Sequence, residues 1–172
     1  MTTWLSRLFT PRPDRLAPLR PLWARIVELA REPGWYAKGG VADTVTGRFD
    51  ALTMVTALVM LRMEREAELI GPSAGLTELF VNDIEGQLRQ QGIGDPTLGK
   101  RMGKLVGALS GRIGAYREAF AADETALVEA VRRNVTLTEG IDPALVAAEL
   151  RVLADQLEQL SAAQLLAGEI VR

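Results

Sequence analysis

The sequence predicts an all-α protein, a single-domain irregular bundle of about six helices, and three observations carry that expectation. Apolar residues recur at helical spacing along most of the chain, and no period-2 run bounded by turn pairs is present. Proline-glycine and aspartate-proline pairs cut the chain into pieces of helical length. With 172 residues, 48% hydrophobic, the chain suffices for one domain with a sizeable core, and an aromatic content of 5% makes that core aliphatic.

The start, TPRPDRLAPLRP (10 to 21), holds four prolines and reads as irregular linker, so residues 1–20 are expected to be a flexible basic segment ahead of a helical domain over 21–172. PLWARIVELAREPG then places Trp23, Ile26, Val27 and Ala30 on one helical face, and Pro33-Gly34 ends it. WYAKGGVADTVTGRFD (35 to 50) reads as a loop. A second helix is expected from about Arg48 to Leu69, apolar almost all round until Arg62 and hence central, and broken by Gly71-Pro72. A third, about 74 to 91, puts Leu76, Leu79, Phe80, Ile84 and Leu88 on one face, with Gly92 as its C-terminal cap. Asp95-Pro96 and Asp142-Pro143 each offer a capping acceptor followed by proline, opening helices over about 96 to 121 and 143 to 170. Between them DETALVEAVRRNV makes a shorter helix from Asp123. In the last helix Val146, Leu150, Leu153, Leu157 and Leu160 repeat at heptad-like spacing, the packing face of a bundle.

Two absences narrow the function. Without cysteine there is no disulfide, thiolate nucleophile or zinc-thiolate site; without histidine, serine or cysteine triads and imidazole ligation are excluded. No cofactor or metal site is expected, and an enzyme would have to rely on carboxylates such as Asp43 and Asp50. MTTWLSRLF lacks the apolar core of a signal peptide, and ALTMVTALVML is too short for the about 20 residues a bilayer requires. Trp4, Leu5, Leu8 and Phe9 with Arg7 offer a short amphipathic stretch for a headgroup layer.

The net charge of −2 gives no reason to expect specific nucleic-acid binding, but it conceals segregation. Residues 96–117 carry five basic residues and no acid, whereas from Glu118 onward there are ten acids against four bases. Either these faces pair with one another inside the fold, or they meet anionic partners. The basic stretch contains GKRMGKLVGALSG, with Gly99, Gly103, Gly107 and Gly111 at every fourth position. At about 100° per residue, Met102, Val106, Leu109, Ile113, Tyr116 and Phe120 fall in one core-facing arc, while Lys100, Arg101, Lys104 and Arg112 face away from it. The glycines drift across the boundary: close packing by a neighbouring helix is the expected reason for Gly99 and Gly103, and the alternative is a shallow, positive groove for a partner segment, where Gly107 and Gly111 expose backbone beside lysine and arginine.

Two stretches carry a family resemblance. GVADTVTGRFDALTMVTALVMLRM (40 to 63), through Gly40, Val41, Asp43, Thr44, Gly47, Arg48, Phe49 and Asp50, resembles the first signature of the ubiquinol–cytochrome c chaperone family, assembly factors for the cytochrome bc1 complex. LRQQGIGDPTLGKRMGKLVGALSGRIGAY (88 to 116) resembles the second, through Leu88, Arg89, Gly92, Gly94, Asp95, Lys100, Arg101, Met102, Lys104, Gly111, Arg112, Ala115 and Tyr116, with Ser110 standing where the family has tyrosine. The resemblance covers about residues 35 to 120. It implies a non-enzymatic, all-helical chaperone that holds newly made cytochrome b, with a small partner subunit and the ribosome nearby in some members. It suggests a bacterial member acting in the cytoplasm at the inner face of the inner membrane.

On this reading Lys100, Arg101, Lys104, Arg112 and Tyr116, with Arg48, Asp43 and Asp50, are the candidate contacts to client or anionic lipid. Gly47, Phe49, Gly92, Gly94, Asp95 and Gly111 are the candidate structural positions. Asp43 is expected to cap the following turn, Arg48 and Asp50 to pair, and Gly111 to be the least replaceable of the four glycines. The competing reading is a helical adaptor that recruits a protein partner through its acidic C-terminal helix, with no relation to cytochrome b.

Overall fold

The computed structural model describes residues 14–90, 92 and 95–171, with the backbone alone for 95–98. Seven α-helices follow in order: α1 Arg20–Ala30, α2 Val45–Met63, α3 Ile70–Gln90, α4 Asp95–Ala121, α5 Glu124–Asn134, α6 Ala144–Glu158 and α7 Ala162–Leu166. No strand forms among the described residues; one antiparallel bridge joins Val41 to Leu137.

α2 is the axis of the molecule, packed by α1, α3, α4 and α6. Every residue from Asp50 to Met60 is buried, which is why its sequence is apolar on all sides. Its two buried threonines are tolerated because Thr53 and Thr56 donate to the carbonyls of Phe49 and Leu52, each at 2.7 Å. The heptad-like positions of α6 face this axis, with Val146, Leu150, Leu153 and Leu157 all buried.

Four boundaries differ from expectation. The stretch before α2 is no simple loop: Gly34–Lys38 forms a π-helical turn, and buried Trp35 donates its indole N–H to Leu29 O at 2.8 Å. α2 starts at Val45 because Thr44, rather than Asp43, caps it, accepting from Gly47 N at 3.1 Å. Gly71-Pro72 does not interrupt a helix but lies in the first turn of α3, where proline's missing N–H costs nothing. The last helix is two, because Ser161 and Gln164 form a reciprocal capping box that starts α7.

In the described part of the proline-rich start a 3-10 turn covers Ala17–Leu19, and Leu19 is buried against Gly75 of α3. Trp4, Leu5, Leu8 and Phe9, Gly94 and the side chain of Asp95 lie outside the described residues. No helix of the described residues is long and apolar enough to cross a membrane, and no described cluster of His, Cys, Asp or Glu could hold a metal ion.

Candidate functional site

The GVADTVTGRFD stretch becomes a clasp. Gly40 adopts φ +75, and a Cβ there would meet Ile141 at 2.4 Å. Gly47 is demanded by space rather than by an unusual backbone: a Cβ would lie 1.9 Å from Ala42 O. The chain before α2 pairs with the segment after α5, through Ala42 N to Thr136 O at 2.9 Å and Thr138 N to Gly40 O at 2.8 Å.

A buried ion pair closes the clasp from inside. Asp50, on α2, accepts from the guanidinium of Arg112 on α4, and also from Thr136 N at 2.9 Å and Thr136 Oγ1 at 2.7 Å. Arg112 donates further to Asn134 O at 2.7 and 3.2 Å, where α5 ends, and lies 5.8 Å from the Phe49 ring centroid. A cation at a helix C-terminus is favoured there. This corrects the expected Arg48–Asp50 pair, since two positions apart on one helical turn the side chains point about 200° apart. Arg48 bonds Asp43 at 2.7 Å on the surface, which holds the Asp43 carboxyl below its usual range and raises Arg48.

Tyr116 is fully buried beside this pair. Burial raises its phenol, and its Oη has no hydrogen-bond partner. Asp50, Arg112 and Tyr116 therefore work inside the molecule and do not present a contact surface in this conformation. The expected exposed face with Arg112 in it is corrected accordingly.

Outside the clasp lies a groove of about 1010 Å³ between α1, the π-turn, the start of α2, α3 and α4. Its apolar lining includes Val27, Phe49, Leu52, Ile84, Leu88 and Leu105, and Tyr36, Asp43, Arg48 and Arg31 stand among its polar residues. Val45 projects at its edge, 76% exposed. Phe49 is half-buried, seated on Phe80 at 6.4 Å between centroids. The sequence offers a shallow positive groove along the glycine helix as one reading; this apolar groove was not anticipated, because its walls come from five separate segments.

Charge separates the cations into two populations. Arg15 and Arg20 near the start, and Glu124 and Glu158 of the C-terminal third, pair within the fold: Arg15–Glu78, Arg20–Asp14, Arg65–Glu158 and Arg151–Glu124. Lys100, Arg101 and Lys104 are exposed and have no ion-pair partner among the described residues. Arg101 is one turn ahead of the groove residue Leu105, so the cations continue along α4 from the groove wall.

The glycines separate too. Gly92, at φ +78, donates to Arg89 O at 3.0 Å and ends α3 as expected. A Cβ on Gly99, Gly103, Gly107 or Gly111 would meet nothing within 4 Å. No neighbouring helix packs on Gly99 and Gly103, and Gly111 has no steric requirement in the fold, contrary to expectation.

These features define a helical domain with an open apolar groove and an adjacent cationic face. The sequence pattern of the family described as ubiquinol-cytochrome C chaperone matches residues 37–172. The structure is similar to the crystal structure of the Cbp3 homolog from Brucella abortus, with a TM-score of 0.78 and 32% sequence identity over 96% of this chain and 94% of that one. A search of curated proteins finds no match. The chain belongs to the ubiquinol-cytochrome c chaperone family, and the family match extends through the C-terminal helices beyond the two signature stretches.

Proposed function

We propose that this protein is an assembly chaperone of the cytochrome bc1 complex that binds newly made cytochrome b. The groove carries the proposal. A chaperone for a membrane protein needs a place for apolar side chains that have not yet reached their final partners. Phe49, Leu52, Ile84, Leu88 and Leu105 supply it at the surface of a folded domain. Family membership supports a role in binding rather than catalysis.

Lys100, Arg101 and Lys104 give the same face an attraction for anionic groups, whether acidic client loops or lipid headgroups at the cytoplasmic side of the inner membrane. The adaptor alternative would draw on the remaining acids of the C-terminal third, since Glu124 and Glu158 are engaged by Arg151 and Arg65. Deleting the gene tests the function. Loss of assembled bc1 complex with other respiratory enzymes intact is the expected result, and normal bc1 levels would refute the proposal. Photocrosslinking from position 105 should capture cytochrome b.

A further inference from the structure

The two halves of α4 are anchored unequally. From Leu109 onward the helix is fixed by buried Leu109, Tyr116 and Ala119, by the Arg112–Asp50 pair and by Arg117–Glu64. Between residues 99 and 108 no residue is fully buried, Met102 and Leu105 packing only partly on the core, and no side chain makes an ion pair or hydrogen bond among the described residues. That stretch also holds Gly99, Gly103 and Gly107, none at positive φ and none with a neighbour that a Cβ would touch. Neither packing nor backbone conformation requires glycine at these positions. What glycine does supply is a weaker helix, by about fivefold per residue relative to alanine.

The weak half is also a wall of the groove, through Leu105. It faces the end of α3, where Ile84 is the last buried residue and Gly86 likewise has open space around it. Sparse burial and unpaired side chains mark segments that open locally without global unfolding.

We infer that residues 99–108 are a hinged wall, which opens about Leu109 by local unfolding, admits an apolar helical segment of the client and recloses beside it. The inference rests on the groove being the client site. The glycines then set the opening equilibrium itself, and Lys100, Arg101 and Lys104 move with the wall.

Hydrogen–deuterium exchange on the full chain, alone and with a synthetic leucine-alanine helical peptide, tests this. Amides of residues 99–108 should exchange about a hundredfold faster than those of 113–120. The variant Gly103→Ala/Gly107→Ala should slow exchange in 99–108 by about 25-fold, leave 113–120 unchanged and slow peptide association in proportion. Uniform exchange along α4, or exchange in 99–108 unmoved by the alanines, would overturn the hinged wall. Slowed exchange with unchanged peptide association would overturn the gating step while leaving the groove as the client site. A wild-type chain that does not bind the peptide at all would instead count against the groove reading.

Discussion

At Asp50 and Arg112 a carboxylate and a guanidinium are withdrawn from water and satisfied by four hydrogen bonds to residues 134 and 136. Removing one partner strands the other, so Arg112→Ala should destabilise the fold by about 3–5 kcal/mol, measured by urea unfolding. Tyr116 should behave in the opposite way. Its hydroxyl is buried without a partner, so Tyr116→Phe should be neutral or stabilising by up to about 1 kcal/mol. The phenol's ionisation is raised in the fold above the ordinary 10.0, so the unfolded chain ionises first. The contribution is complete below pH 10 and is lost as pH rises above it. Wild type should therefore weaken in strong alkali more than Tyr116→Phe does. The sequence displayed all three residues as signature positions but not their depth. Arg112 follows a glycine on the polar side of a helical wheel, and only the return of α5 to α2 encloses it.

Within single elements, local signals were readable where the chain provides its own partners. Asp123 accepts from Ala126 N at 2.8 Å, and Asp142 accepts from Ala144 N at 2.9 Å, starting α5 and α6 as their sequences indicate. The Ser161-Gln164 box was equally local but was hidden in a long leucine-rich run; Ser161→Ala should cost about 1 kcal/mol. Distant partners left no such mark. Arg62 reads as the polar end of an apolar run, yet it is buried and donates to Leu157 O at 3.0 Å and Leu160 O at 2.6 Å, closing the C-terminal turn of α6. Glycine shows the same divide. Gly47→Ala should cost at least about 3 kcal/mol, because the Ala42 carbonyl fills the position. Gly107→Ala should be neutral or raise the melting temperature slightly, because nothing does. Both glycines lie within α-helices, and only the three-dimensional surroundings tell them apart.

For the molecule as a whole, helical periodicity and the breaks between segments were enough to give an all-α bundle, and the two signature stretches gave the family. The groove was not legible, since it depends on how five segments meet. Its electrostatics were half legible: the basic stretch of α4 was visible, but not that Arg15 and Arg20, and Glu124 and Glu158, would each find partners elsewhere in the fold. Lys100→Glu/Arg101→Glu/Lys104→Glu should weaken capture of client or anionic liposomes by at least tenfold at low salt, with an unchanged circular dichroism spectrum. Capture by wild type should fall as salt is raised. Unchanged capture by the folded triple variant would remove these cations from the binding surface.

The clasp also sets an order of events during the protein's own synthesis. The groove's wall at residues 40–50 is held by Asn134, Thr136 and Thr138, made some ninety residues later. Until α5 and the segment after it leave the ribosome, Asp50 and Arg112 lack those partners and the wall has nothing to close on. A nascent copy of this protein thus displays no finished binding site while most of its chain is still being made. A fragment ending at Ala121 should be helical but unable to bind client.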